Sequence, residues 1–231
     1  MLQEEHKCIK VVGGKLECLL CNGNCIKHGK TKESEQRYKC KLCGKTFMKN
    51  YINKAYIVAN KSITALLKEG CGMRSIARLL QISCTTVLKR ILRIAKAIAK
   101  PVVLLNKMYE VDELRTYYKC KTKLLWVVYA LQKDTKHVVE FAVGSRTKAT
   151  LQKVISTLCI SNAAKINTDK LNLYGFIIPH VIHNTKQYGT NNIERKNLSL
   201  RTHLKRLNRR TICFSKSIVL LTACLRIYFW G

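Results

Sequence analysis

Two Cys-x-x-Cys pairs, Cys18-Leu-Leu-Cys21 and Cys40-Lys-Leu-Cys43, constrain the start of this chain more than any apolar pattern does, with 18 residues between them. The surrounding stretch holds few large apolar side chains, and burial alone does not fold a piece this small. Each pair closes a tight knuckle, and together they offer four thiolates to a closed tetrahedral Zn²⁺ site. In comparable peptides zinc contributes about 10–16 kcal/mol of folding free energy. Residues 1–50 therefore read as a zinc ribbon, with Tyr38 and Phe47 forming a small core beside the second knuckle. Cys8, Cys25 and His28 are spare donors, and Cys25 competes for a place in the ligand set. The chain's 12 cysteines would also suit a secreted disulfide framework. The N-terminus MLQEEHK has no signal-peptide pattern, so the expectation is a reducing, cytoplasmic, nucleoid-associated protein.

Charge narrows the partner. Lys and Arg number 43 against 13 Asp and Glu, a formal net charge of +30 over 231 residues. That excess is far beyond what solubility needs and implies a polyanion, most directly nucleic acid. A membrane surface is the rival, but the longest apolar runs, 124–131 and 218–221, are too short to span a bilayer. An apolar content of 47% is ample for a core elsewhere in the chain.

Residues 61–100 carry helical periodicity. Ile63, Leu66 and Leu67 form one apolar stripe, and Ile76, Ala77 and Leu80 a second. Ser83 caps a third helix, whose buried positions are expected to be Val87, Leu88, Ile91, Leu92, Ala95, Ile98 and Ala99 before Pro101 stops it. Two short helices, a turn at 81–83 and a following helix fit a helix-turn-helix. Thr85, Thr86, Lys89, Arg90 and Arg93 would then face base edges and phosphates. A plain helical bundle with a solvated basic face is the alternative.

From Lys107 the period changes to that of strands, at 109–118, 124–131 and 137–143, separated by short polar turns. A helix over 147–159, a strand over 164–168, a strand over 177–182 and a helix over 190–210 follow. The overall expectation is an α+β multidomain chain: zinc ribbon (1–50), helix-turn-helix (51–100) and a ribonuclease-H-like α/β domain (101–231). That element order places acids at defined points: on the first strand, after the fourth strand, and on the later helix. Asp112, Asp169 and Glu194 stand at those points. From Phe141 onward there are 15 Lys/Arg but only two carboxylates, Asp169 and Glu194, so each isolated acid needs a reason. For Asp169 a strand-end cap is the local alternative, and for Glu194 a pairing with a neighbouring Arg. Glu110 and Glu113 are rivals to Asp112, with Glu110 on its strand face and Glu113 on the other.

Several stretches together carry a family resemblance: Gln36-Arg37-Tyr38-x-Cys40, Val111-Asp112-Glu113, Gly144-Ser-Arg-Thr-Lys-Ala-Thr-Leu151, Thr168-Asp169, and above all Ile193-Glu194-Arg195-x-Asn197-Leu-x-Leu200-Arg201. With Cys213-Phe-Ser-Lys-Ser217, these resemble the transposases of bacterial insertion sequence one nearly end to end. The family is of DDE type, which implies that Asp112, Asp169 and Glu194 hold Mg²⁺ or Mn²⁺ for DNA cleavage and strand transfer. Arg195, Lys196, Arg201 and Lys205 would bind phosphates. The resemblance further implies double-stranded DNA partners, namely terminal inverted repeats and target DNA, and a homo-oligomer that joins two element ends. Arg115 stands where the family usually has Trp, and Lys170 where Gly commonly follows the Asp. A copy without catalysis, acting as a DNA-binding repressor, is the alternative and needs only residues 1–100.

Overall fold

The computed structural model describes residues 9–12, 15–18, 21–32, 34–48, 54–186 and 189–231. Cys8, one of the spare zinc donors, lies outside them. The chain forms two compact units, Met1–Ala59 and Asn60–Gly231.

In the first unit, β1 (Ile9–Val12) and β2 (Lys15–Cys18) make an antiparallel hairpin. β3 (Cys25–Lys30), β4 (Gln36–Cys40) and β5 (Thr46–Met48) make an antiparallel meander. Its core is Cys18, Cys25, Tyr38 and Cys40, with Phe47 packed against them. That is too little apolar surface to stabilise a fold by burial.

The second unit begins within α1 (Lys54–Lys68), followed by α2 (Met73–Leu79) and α3 (Cys84–Ala97). Ser83 caps α3 as its sequence predicts, its hydroxyl accepting from the Thr86 amide at 3.0 Å. Val87, Ile91 and Ala95 are buried, whereas Leu92 and Ala99, expected inside, are exposed. The buried stripe is narrower than the apolar pattern because α3 meets its neighbours along one seam.

Three antiparallel strands follow: β6 (Met108–Tyr118), β7 (Cys120–Gln132) and β8 (Val138–Gly144). After α4 (Lys148–Ile160), β9 (Lys165–Asn167) adds parallel to β6. Past the short α5 (Asn172–Gly175), β10 (His183–Asn184) adds parallel to β9. The sheet order is β10-β9-β6-β7-β8. The strand expected over 177–182 is absent: Ile178 is buried in a turn, and the amides of Ile182 and His183 both bond back to the Pro179 carbonyl. That turn leaves only two residues to extend the sheet.

Both sheet faces are covered. Val111, Val128 and Ala130 pack with Leu151, Val154, Ile155 and Leu158 of α4. Leu114, Val127, Tyr129 and Leu131 point the other way, to α6 (Asn191–His203) and α7 (Ile218–Trp230). This double burial explains the unbroken apolar run of β7. α6 ends at His203, short of the expected Arg210. Leu204 leaves the helix and a 3₁₀ turn spans Lys205–Leu207, while Leu204 and Leu207 stay buried. Gly70 (φ +78°) allows the chain to pass here, since a Cβ on it would lie 2.1 Å from the His203 carbonyl oxygen.

α7 was not anticipated. Leu221 and Leu225 join the sheet core, while Ala223, Cys224 and Ile227 join Ile63, Ile76, Val87 and Ile91 of the helical layer. A helix buried on two sides is apolar over most of its surface, here all but the Thr222–Arg226 edge, and shows little periodic signal. Through α7, the helices from Asn60 and the sheet share one unit, so the proposed boundary at residue 100 falls inside it.

Candidate active site

In the first unit, one sulfur from each of Cys18, Cys21, Cys40 and Cys43 lies within 4.8 Å of the others. Cys18 and Cys43 are 3.8 Å apart and Cys21 and Cys40 3.4 Å. Tetrahedral zinc with bonds of about 2.3 Å requires sulfur separations near 3.8 Å, so the donor set fits that ion. The Leu42 and Cys43 amides point at the Cys40 sulfur, at 3.4 and 3.5 Å. These amides, the Cys43 one foremost, lower the Cys40 thiol to about 6. Gly23 is required by proximity, since a Cβ there would sit 2.9 Å from the Cys40 sulfur. Cys25, the competing donor, is buried alongside but outside the group, and burial raises its thiol to about 11. His28 is exposed on β3.

In the second unit the acids gather where β6 loses its neighbour. β9 pairs with β6 only from Met108 to Glu110, and Asp169 follows β9 closely. Among the described residues, that edge of β6 carries no strand between Glu110 and a parallel bridge from Tyr118 to Ser215, so side chains from both faces reach it. One carboxylate oxygen from each of Asp112, Glu113 and Asp169 lies within 4.8 Å of the others. Asp112 is half-buried and Glu113 buried. Burial raises both above the usual carboxylate range; the charge of Asp169 adds to this, while the Glu113 amide opposes it at Asp112 and Arg146 opposes it at Glu113. An all-oxygen donor set of clustered, partly desolvated acids suits a hard divalent cation such as Mg²⁺ or Mn²⁺.

Two contacts fix α6 against this edge. Glu110, fully buried, accepts from the Ile193 amide at 2.8 Å and from Asn192 Nδ2 at 2.7 Å. It therefore caps the first turn of α6 from the neighbouring strand, where a carboxylate also suits the helix dipole. Asn197, one turn on, donates to Asp112 Oδ2 at 2.6 Å and accepts from the Tyr129 hydroxyl at 2.8 Å. Glu194 lies between them on α6. Its carboxylate is exposed, takes the Thr190 hydroxyl at 2.9 Å and stands outside the three-acid group, although its charge is felt at Asp112. The structure thus brings Asp112 and Asp169 together, adds Glu113, and leaves Glu194 at the rim. The sequence offered Glu113 only as a rival to Asp112, because strand alternation assigns it to the other face; here it stands beside Asp112 rather than in its place. Asn197 had a signal in the sequence, since it is the polar member of the helically spaced set Ile193, Asn197, Leu200, Leu204 and Leu207.

The predicted cations spread along two helices. On α3, Thr85, Lys89 and Arg93 are exposed and Arg90 is half-buried, while the Thr86 hydroxyl is engaged with Ser83 at 2.8 Å. On α6, Arg195 is exposed, Lys196 lies 5.9 Å from the Tyr228 ring centroid, and Arg201 is half-buried. Lys205 is exposed in the 3₁₀ turn and lines a cleft of about 830 Å³ with Arg201, Arg209 and Arg210.

Residues 102–229 match the family described as IS1 transposase. The chain belongs to that family. Among IS1 relatives, the insertion element iso-IS1n protein InsB of Shigella dysenteriae is 37% identical over 109 residues, which are 47% of this chain and 83% of the relative. The insertion element IS1 protein InsB of Shigella flexneri is also 37% identical, over 48% of this chain and 85% of the relative. A simian T-cell lymphotropic virus intasome in complex with a PP2A regulatory subunit is a distant likeness: TM-score 0.38, 16% identity, 71% of this chain and 66% of that one. The HTLV-2 integrase catalytic core domain in complex with magnesium aligns at TM-score 0.35 and 18% identity, over 55% of this chain and 86% of that one. As an IS1 family member the chain is a DNA transposase of DDE type. Among the described residues, no helix is long and apolar enough to cross a membrane.

Proposed function

We propose that this IS1-family transposase holds Mg²⁺ or Mn²⁺ on Asp112, Asp169 and Glu194 and uses that site to cut the ends of its element and join them to target DNA. The observation that carries this reading is the approach of Asp112, Glu113 and Asp169 to within 4.8 Å at the open edge of β6, beside the helix that bears Glu194. When bound, the ions would activate the attacking water or 3′-hydroxyl and stabilise the leaving oxygen. The protein's own part is positional. Glu110 and Asn197 hold α6 to β6, so the carboxylates of strand and helix share one rim. Arg195, Lys196, Arg201 and Lys205 offset the charge of the approaching phosphates. The antiparallel and parallel strand order supports a ribonuclease-H-like reading of this part of the chain.

The four-cysteine unit would hold one Zn²⁺ as a zinc ribbon, with a structural role, since all four positions are filled by protein sulfur. α2, the turn to Ser83 and α3 would act as the helix-turn-helix that selects the terminal inverted repeats, with Thr85, Thr86, Lys89, Arg90 and Arg93 toward DNA. A homo-oligomer would bring two ends together.

The test is divalent-metal-dependent strand cleavage and joining by the full chain on DNA carrying the element's ends. Asp112→Asn, Asp169→Asn and Glu194→Gln should each abolish cleavage while end binding survives. Full cleavage by the Glu194→Gln protein would remove Glu194 from the triad. End binding without cleavage by the unaltered protein would favour the repressor reading.

A further inference from the structure

Beside the acidic group lies a smaller cleft of about 250 Å³, lined by Glu113, Arg115, Tyr117, Trp126, Arg201 and Arg209. Glu113 belongs to both, so the cleft adjoins the acidic group through that buried side chain. Its construction follows from strand geometry. Arg115 and Trp126 are direct cross-strand partners on β6 and β7, and Tyr117 lies two residues along on the same face. Among the described residues, no strand pairs with this edge of β6 between Glu110 and the Tyr118–Ser215 bridge, so Arg201 from α6 and Arg209 from the loop after the 3₁₀ turn reach the same cleft.

Two features of this cleft suit a nucleotide. The first is charge. Three arginines converge with Glu113 as the sole lining carboxylate, and Glu113 Oε2 already faces Arg146 at 3.4 Å. Arg201 Nε is buried and has no hydrogen-bond partner among the described residues. Burial, then the charge of Arg209, disfavours the Arg201 cation, and the charge of Asp112 offsets this only in part. A buried guanidinium donor facing like charges is costly unless an anion completes it. The second feature is the pair of aromatic rings. Arg146 lies 4.6 Å from the Trp126 ring centroid and braces the indole. Phe214 meets Tyr117 edge-on, with centroids 6.0 Å apart. Both rings are held in place by neighbours and still line the cleft.

We propose that this cleft receives one unpaired nucleotide of the strand entering the carboxylate site, its base against Trp126 and Tyr117 and its phosphate on Arg201, Arg209 and Arg115. The inference rests on the reading of the acids as the DNA-cutting site. The cleft's volume suits one nucleotide and excludes a duplex. Aromatic platforms flanked by cations are how proteins hold unpaired bases without reading their sequence. Extruding a nucleotide beside the cut would also free its phosphate for approach to the acids.

The test is binding of the full chain, without divalent metal, to end-bearing duplexes in which the nucleotide beside the cleaved bond is either paired or mismatched. The unaltered protein should prefer the mismatched duplex by about tenfold. Trp126→Ala should bring that preference below about twofold, and Trp126→Phe should retain most of it. Arg209 is exposed, so Arg209→Ala leaves the fold intact, and this variant should also lose the preference while still binding the paired end. Equal affinity of the unaltered protein for both duplexes would overturn the proposal, as would a preference that survives both Trp126→Ala and Arg209→Ala. Loss in Arg209→Ala alone would overturn the stacking role and leave a phosphate contact. Because cleavage plays no part in the readout, an inactive protein that keeps the preference would undo the catalytic reading alone. An active protein without the preference would undo this proposal alone.

Discussion

Replacing Asn197 by Leu preserves side-chain volume and removes both polar contacts that tie α6 to the sheet. The bond to Asp112 is short, at 2.6 Å, and its acceptor is a carboxylate. Hydrogen bonds to charged groups contribute about 1.5–3 kcal/mol. The bond from the Tyr129 hydroxyl, at 2.8 Å, is between neutral groups and contributes about 0.5–1.5 kcal/mol. Tyr129 keeps a second acceptor, the Ile193 carbonyl at 3.2 Å, so its hydroxyl is not orphaned. The expected loss is therefore about 2–4 kcal/mol, or a fall in Tm of roughly 5–15 °C for a chain of this size. Denaturant unfolding of the full chain measures it, with Leu198→Ala on the exposed face as a control that should change little.

The pH dependence of that loss is a further check. Burial raises Asp112, and the Asn197 bond holds it down against that pressure. Losing the bond raises it more, so the deficit should be full at neutral pH and should narrow as acid protonates Asp112 in both proteins. A cycle with Asp112→Ala isolates the coupling, expected at about 1.5 kcal/mol or more. A loss under about 0.5 kcal/mol at neutral pH, or a coupling near zero, would refute the idea that this contact locks α6 to the acidic edge.

Other outcomes follow from the same structure. Glu110→Gln places an amide NH₂ against one of the two α6 donors that Glu110 now accepts, and should cost about 1–3 kcal/mol in denaturant unfolding while divalent-metal binding persists. Metal analysis of the full chain should find one zinc per chain, lost in Cys21→Ser and kept in Cys25→Ser; the reverse pattern would exchange their roles. Burial, then the charge of His180, lowers His183, whose ring nitrogen meets the Thr168 hydroxyl at 2.8 Å. The neutral form is thus favoured in the fold. Its contribution is present above the unfolded value of about 6.5 and is lost as pH falls through the lower folded one. Melting curves between pH 8 and 5 should show this acid limb, and His183→Gln should flatten it.

Local chemistry was legible wherever it is decided by neighbours in sequence. The knuckles of Cys18–Cys21 and Cys40–Cys43, the Ser83 cap and the three long strands all rest on contacts a few residues apart or on a strict period. Asp112 and Asp169 were legible through element order, because a strand-borne acid and a strand-end acid meet whenever those strands are neighbours. Asn197 was legible only as a position on a stripe.

What the chain's order could not reveal depends on which surfaces end up covered. α7 is apolar over most of its surface because sheet and helical layer both bury it, with only Thr222 and Arg226 on its polar edge, and that weakens the periodic signal by which a helix is recognised. α6 stops at His203 rather than Arg210, where the Gly70 backbone approaches its last carbonyl. Glu110 and Glu113 look alike in sequence, three residues apart on β6. One is buried beneath the first turn of α6 and becomes a cap, and the other stands past the end of β9 and joins the acids. The sequence supplied the acids, the cysteines and the charge. The tertiary structure alone decided which acid is desolvated and bonded and which is left facing other charges, because that depends on where a neighbouring strand ends.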